Sequence, residues 1–580
     1  MENNCFISSL RKLKESSKEA VEGINEFSYF KEYMHVETEI QKELENKIDE
    51  ALNSNNSRLI MICGSVGDGK SHLISYLRNK YPNKLNQFNI HNDATESDDF
   101  RKDYKEHLSE RLENFKDKNL SNQSNEKFLL AINLGTLNNF IESNHKDEFR
   151  TLINFIDSKN ILGNKLKENN TKEVYENFDF VNFSDYNMFE LYEDGVKSQY
   201  IERLIDKIIN KDNVENEFYK SYENTCKYNC ENNKTCPIKL NYELLFSNSL
   251  KQEIIKILIE GMLKYKLIIS TRALLNFIYD LIVPLKLDKL SNKKLLNAIE
   301  KLDKKDFVTM LMPYSMYERK DSSNILKTIN LLDPINYRKE EIDNLILELN
   351  IRNNYNEITD KYISLDFDGF LEESLDSIYE ENMDLFSKFF IRSYKLLPKN
   401  DYFKLEDQIY NDFVKNIYIY NVNDKNLIKL YKNVEESIVN WYGKSSKNNM
   451  VIRIGKNQLN HKVIQNLSLR KGYENRSNIE NYTPSKFEKS IELIFKNKEE
   501  TQEEKIKIDY FLYKLLKRIN DGYRPNKKDK NDFINFIKFI EKIISFGDMK
   551  KELIIEEKIN NSNKKYMLLD EMGLFSFEEV

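Results

Sequence analysis

An α/β domain followed by a large, mainly α-helical C-terminal half is the fold class this sequence predicts, and three observations predict it. Arg58 to Cys63 (Arg-Leu-Ile-Met-Ile-Cys) reads as a short buried strand of the kind found in parallel sheets covered on both faces. A glycine-rich loop follows at once, and Ser71 to Asn79 then places Leu73, Ile74 and Leu77 at helical spacing. Over the whole length, 8 Pro and 15 Gly in 580 residues force few turns, while Leu, Ile, Lys and Glu recur at helical intervals.

Residues 1–36 read as a polar leader, and Glu37 to Leu52 as an amphipathic helix that delivers the chain to the first strand. Phe88 to His91 resembles a second short strand, and Phe128 to Asn133 a clearer buried one bounded by Gly135. Strands alternating with helices imply a parallel sheet, so residues 37–215 form the predicted α/β core. A cysteine-containing insert and a helical lid occupy 216–285. Ile254 to Leu267 and Thr271 to Val283 are the lid's two amphipathic helices, stopped by Pro284. Residues 286–424 read as a helical domain. Residues 425–580 read as a mostly helical C-terminal domain holding the single tryptophan, Trp441; Ile554 to Ile559 and Tyr566 to Leu569 are expected to pair as a hairpin across Asn560 to Lys564.

The loop carries the chemistry. Gly64-Ser65-Val66-Gly67-Asp68-Gly69-Lys70-Ser71 fits G-x-x-x-x-G-K-[ST] between a strand and a helix, the context that this phosphate-loop pattern requires. It makes the core a P-loop NTPase domain of AAA+ or STAND-like type, with ATP and Mg²⁺ as ligands. The expected binding set is Gly64, Ser65, Val66, Gly67, Asp68, Gly69, Lys70, Ser71 and His72. Glycines let successive N–H groups turn toward phosphate oxygens, and the helix N-terminus adds its positive dipole end. Lys70 reaches the β and γ phosphates, and the Ser71 hydroxyl goes to Mg²⁺.

The remaining catalytic parts belong at the C-terminal ends of the strands, where open α/β sheets bind ligands. Asp93 and Glu96 follow the second strand; one can hold Mg²⁺ through water while the other orients the attacking water, and Asp-x-x-Glu before a helix equally suits a capping box. Asn133 ends the third strand, either as a sensor of the γ-phosphate or as the cap of the turn at Gly135. Arg272 opens the second lid helix, from which it can reach back to the γ-phosphate or simply lie on the surface. Tyr33, Met34, His35 and Val36 precede the first core helix, where AAA+ domains brush adenine; packing explains them as well.

Three of the five cysteines crowd as Cys226-x3-Cys230-x5-Cys236 in a polar stretch, a spacing at which thiolates can hold Zn²⁺ or an iron–sulfur cluster. A fourth ligand is not evident in sequence, free thiols are the plain alternative, a disulfide is a third reading that a cytosolic setting disfavours, and Cys5 and Cys63 look unrelated. No apolar run reaches the ~18 residues of a membrane span, and the N-terminus lacks a signal-peptide core, so a cytoplasmic protein with no membrane partner is expected. A net charge of −6 gives no global field for nucleic acid. Local candidates are Val451 to Arg476, with Arg453, Lys456, Lys462, Arg470, Lys471 and Arg476, and Arg524-Pro525-Asn526-Lys527-Lys528; both read equally as solvated surface.

Beyond the loop, several strings resemble one family in order along nearly the whole chain. They are Gly64 to Leu73, His91-Asn92-Asp93-Ala94-Thr95-Glu96-Ser97, Leu130 to Gly135, Cys236-Pro237 with Asn241-Tyr242, Arg272 to Phe277, Asp333-Pro334 and Gly522 to Asn526. The family is that of the DNA phosphorothioation-dependent restriction protein DptF, also called DndF. The resemblance implies a bacterial ATPase component that acts with DptG- and DptH-type subunits, sparing DNA with sulfur in its backbone and restricting unmodified foreign DNA. DNA would be met directly or through the complex, and the same reading allows a homo-oligomer. A nucleotide-switched signalling or scaffold NTPase without a DNA role is the alternative that the residues leave open.

Overall fold

The computed structural model describes residues 5–19, 29–65, 67–92, 103–120, 124–163, 175–227, 229–351, 355–365, 369–422, 427–442, 449–452, 461–467, 469–472, 482–546, 553–557, 566–571 and 573–579. The chain divides into two compact units. Met1–Leu191, Val196–Glu406 and Pro484–Phe487 form the first, and Tyr192–Gly195, Asp407–Thr483 and Glu488–Val580 the second.

The first unit begins with α1 (Ile7–Glu19), α2 (Tyr29–Met34) and α3 (Glu39–Leu52), then β1 (Arg58–Cys63), α4 (Lys70–Lys80), α5 (Pro82–Leu85) and β2 (Asn89–His91). It continues with α6 (Tyr104–Arg111), β3 (Lys127–Ile132), α7 (Leu134–Ile141), α8 (Arg150–Ser158) and β4 (Phe178–Asn182). The four strands form one parallel sheet in the order β2-β3-β1-β4. The expected strand, loop and helix succession is present, and β4 joins it as a strand that the sequence reading did not identify.

Strand alternation explains the layering. Leu59, Met61 and Cys63 of β1 share one buried face with Phe128, Leu130 and Ile132 of β3, covered by Leu108 of α6, Phe140 of α7 and Phe155 of α8. Ile60 and Ile62 point the other way, with Leu129, Ala131 and Val181, and meet Leu44 and Ile48 of α3 and Leu73, Ile74 and Leu77 of α4. Both faces of the central strands are dry, which is why they read as continuous apolar runs rather than alternating ones.

Beyond the sheet come α9 (Gln199–Ile209), α10 (Glu217–Tyr222), α11 (Pro237–Leu244), α12 (Asn248–Lys264) and α13 (Thr271–Ile282). The Ser198, Asn216, Ser247 and Ser270 side chains cap α9, α10, α12 and α13, accepting first-turn N–H groups that would otherwise lack partners. α13 ends at Ile282 and Pro284 follows, the stop expected from the proline. Helices continue to Leu396, and within them Arg392 is buried against Asp333, its Nη2 2.6 Å from Oδ2.

The second unit combines helices at Gln408–Val422, Ile428–Asn440, Tyr510–Asn520 and Ile534–Ile544 with antiparallel strands, of which those before Leu553 were not identified from the sequence. The expected terminal hairpin is replaced. Leu553–Glu557 pairs with His461–Asn466, and Tyr566–Glu571 pairs instead with Leu574–Glu579. Glu571 opposes Leu574, so the connection is two residues long and contains Gly573 at φ 87, the positive φ that a tight hairpin turn requires. Of the basic residues, Arg470 pairs with Glu500 at 2.6 Å, while Lys527 and Lys528 open a helix with a capping box between Asn526 and Asp529. Arg453, Lys456 and Arg476 lie outside the described residues.

Candidate functional site

Because β1, β3 and β4 are parallel and in register at Cys63, Ile132 and Asn182, the segments that follow them emerge together at one edge of the sheet. The glycine loop leaves β1 there and turns into α4. Gly69 is the N-cap of α4 at φ 100, ψ 14, a left-handed conformation in which a side chain is strained. At Gly64 space is the constraint: a Cβ would stand 2.8 Å from Phe183 Cβ and from Asp68 Oδ2. The close approach of the segment after β4 therefore requires glycine at the start of the loop.

Charged groups fold inward on this turn. Lys70 Nζ donates to the carbonyls of Gly64 at 3.1 Å and Ser65 at 2.7 Å. The Ser65 N–H donates to Asp68 Oδ2 at 2.5 Å, so a carboxylate occupies one of the loop's amide donors. Burial pushes the Asp68 pKa up, opposed by the Ser65 amide and then by Lys70. Ser71 and His72, in the first turn of α4, are exposed. Val66 falls outside the described residues, as do Asp93 and Glu96; Asn92, just before them, has a buried Oδ1 with no hydrogen-bond partner among the described residues.

Asn133 follows β3 at the same edge, and its Oδ1 accepts the Thr136 N–H at 2.7 Å. The capping role is thus present, through the side-chain oxygen. Arg272 is exposed one residue beyond Thr271, and α13 starts beside the loop: a Cβ on Gly67 would lie 3.8 Å from Ser270 Cβ. Tyr200 OH and Thr271 Oγ1, 2.7 Å apart, tie this helix start to α9. The structure therefore brings the loop, Asn133 and the start of the predicted lid helix to one place.

Sequence reasoning missed Asp185, which follows β4 at the same edge. It accepts the Asn182 side-chain amide at 3.0 Å, and burial pushes its pKa up to about 6, with Lys486 opposing and Glu43 adding to the rise. The alternation in Phe178-Asp179-Phe180-Val181 was the signal for the strand that places it.

A second feature adjoins the loop helix. His35 stacks on Tyr76 of α4 with centroids 3.5 Å apart, its Nδ1 lies 3.0 Å from His72 Nε2, and its Nε2 lies 2.8 Å from Gln41 Oε1. Desolvation is the main cause lowering the His35 pKa, partly opposed by its hydrogen bond to Gln41. His35 and Val36 line a pocket of about 330 Å³ whose other wall includes Arg203 and Lys207 of α9. Tyr33 and Met34 are buried; the Tyr33 hydroxyl donates to the Lys207 carbonyl at 2.5 Å, so these two residues pack α2 onto α9.

Cys226 sits in a π-helical turn, Glu223–Lys227, and Cys236 is the N-cap of α11; all five cysteines are free thiols. Among the described residues, no group of three or more His, Cys, Asp or Glu side chains stands ready to hold a metal ion, and no helix is long and apolar enough to cross a membrane.

The fold and site define a parallel α/β domain with a glycine loop at the C-terminal edge of its sheet and helices gathered around that loop. Comparison with protein-family models, curated proteins and solved structures finds no match to this chain.

Proposed function

We propose that this chain is a P-loop NTPase, the ATP-binding and hydrolysing component of a bacterial DNA phosphorothioation-dependent restriction system that acts on unmodified foreign DNA with DptG- and DptH-type partners. The nucleotide part rests on one observation: a glycine turn leads from a central parallel strand into the N-terminus of α4 while Lys70 is folded onto the turn's own carbonyls. An ammonium group satisfied by two neutral acceptors gains by exchanging them for phosphate oxygens, which form charge-assisted bonds. The first-turn N–H groups of α4 face the same anion.

In this reading the chain's own residues act as follows. Lys70 leaves Gly64 and Ser65 for the β and γ phosphates. Asp68 gives up the Ser65 N–H, which turns to phosphate. Ser71, exposed beside Lys70, suits a Mg²⁺ ion, which neutralises phosphate charge when bound. Either Asp93 or Glu96 orients the lytic water, Asn133 offers its side-chain amide nitrogen to the γ-phosphate, and Arg272 reaches the developing charge from the start of α13. The base occupies the pocket beside His35 and Val36, whose volume is in the range of small-ligand sites. The restriction pathway and its partners rest on the ordered strings shared with the DptF family.

ATPase rates measured with and without duplex DNA, phosphorothioate-modified and unmodified, test the proposal. Turnover stimulated by unmodified DNA, alone or with the partner subunits, supports it. Nucleotide-dependent assembly with slow turnover that DNA and partners leave unchanged replaces it with a signalling or scaffold switch. Binding without turnover under every condition leaves an inactive scaffold.

A further inference from the structure

Residue 5 stands apart from the other cysteines in sequence, yet the fold brings it to them. Phe6 packs its ring against Tyr222 of α10 and Tyr242 of α11, with centroids 5.9 Å and 4.8 Å apart, and Ser9 Oγ donates to Ser221 Oγ at 2.8 Å. These contacts lay the start of α1 across the segment that carries Cys226, Cys230 and Cys236. Cys5 is within electrostatic range of Cys226, Cys230 and Cys236, and Cys226 of Cys230 and Cys236. Cys5, expected to be unrelated to the cluster, therefore lies in its neighbourhood as a fourth thiol.

Two further observations point to a metal. Burial is the largest influence on Cys5, Cys226 and Cys236 and pushes their thiols up; it is opposed by backbone N–H groups of Ile7 and Phe6 at Cys5, of Phe6 at Cys226, and of Lys239 and Ile238, in the first turn of α11, at Cys236. Amide donors of this kind stabilise metal-bound thiolates, and Arg11 adds a positive charge facing Cys5. Cys226 is carried on a π-helical turn, a rare local geometry that is frequent at functional sites.

We propose that Cys5, Cys226, Cys230 and Cys236 form a tetrathiolate metal centre, holding a single Zn²⁺ or an iron–sulfur cluster, which staples α1 to the α10–α11 segment. On ligation of Zn²⁺ each thiol loses its proton, so four protons leave and the centre carries two negative charges, balanced by the amide donors and Arg11. Among the described residues no three of these side chains are arranged to hold a metal ion, so binding one would have to draw the thiols together.

The test does not use nucleotide, so it stands or falls apart from the proposed ATPase activity. The full chain is purified without oxygen and analysed for metals and sulfide by mass spectrometry and visible absorption. About one zinc per chain, or iron and sulfide with broad visible absorption, is expected. Cys5→Ser should lower metal content as far as Cys226→Ser does, whereas Cys63→Ser, at the end of β1, should retain it. Cobalt titrated into the metal-stripped chain should give four-sulfur spectra, changing to three-sulfur spectra in folded Cys5→Ser. Wild-type protein that carries no metal and gives no sulfur-to-cobalt bands overturns the proposal, and so does a Cys5→Ser spectrum identical to wild type.

Discussion

Replacing Lys70 by alanine removes the ammonium group that now bonds the carbonyls of Gly64 and Ser65 at 3.1 and 2.7 Å. In the free protein the loss is small, because Lys70 is only half-buried and water replaces each acceptor's partner; roughly 1 kcal/mol or less of stability is at stake. In the nucleotide complex the same group makes charge-assisted bonds to phosphate, each worth roughly 1.5–3 kcal/mol. After subtracting the carbonyl bonds given up, the net loss on binding is about 3 kcal/mol, a rise of roughly 150-fold in Kd. Titration with a fluorescent ATP analogue and Mg²⁺, alongside urea unfolding, separates the two quantities. A Kd within about threefold of wild type, in a protein of unchanged stability, would refute the reasoning, because it would leave Lys70 with no ligand to leave the carbonyls for.

Other outcomes follow from the same geometry. Arg272→Ala removes an exposed side chain, so stability should hold while kcat falls by roughly 100-fold at unchanged ATP affinity; an unchanged kcat makes Arg272 a plain surface residue. His35→Ala should weaken ATP binding by about 1–2 kcal/mol through lost stacking but leave inorganic triphosphate binding unchanged, and equal losses for both ligands would remove the base from this pocket. Asp185 rises from 3.8 to about 6 on folding, so the native state holds the extra proton between those values and stability falls as pH rises through that window. Asp185→Asn should therefore stabilise the protein at pH 8 by up to about 3 kcal/mol and add little at pH 4, measured by urea unfolding. Arg392→Met strands Asp333 in the core and should cost roughly 3–5 kcal/mol, much of which Asp333→Asn should restore in the double variant.

Local signals read from sequence survived where one element decides its own structure. β1, the loop and α4 were legible because a buried strand, glycines at fixed positions and a helical apolar period are each local. α13 was legible because Ser270 caps it and Pro284 ends it. Non-local pairing is where sequence reasoning stopped. β4 interrupts its apolar residues with Asp179, which is tolerated because Arg58 and Lys47 pair with it at 3.1 and 3.5 Å, from elements far away in sequence. The terminal hairpin was assigned to the wrong partner because Leu553–Glu557 finds its mate about ninety residues upstream, at His461–Asn466. Cys5 looked unrelated for the same reason: only the packing of Phe6 on Tyr222 and Tyr242 brings it to Cys226.

The helix that meets the loop also determines where a change at the loop can go. α13 begins beside Gly67, where an added Cβ would lie 3.8 Å from Ser270 Cβ, and along its length Leu274, Phe277, Ile278, Leu281 and Ile282 are buried, so it has little room to bend. Its far half is fastened to α1 and to the helices beyond. Lys14 lies 3.7 Å from Asp280 and 4.6 Å from the centre of the Tyr279 ring, and Arg319 pairs with Asp280 at 3.1 Å. Arg11 donates to the carbonyls of Asp288 and Leu290, just after α13. A displacement of Ser270 by an occupied loop would therefore move α13 as a rigid element, and α1 is bound to it by the Lys14–Asp280 ion pair. The start of α1 in turn carries Cys5, so fixing α1 at the cysteines would set the resistance against which the loop end of α13 moves.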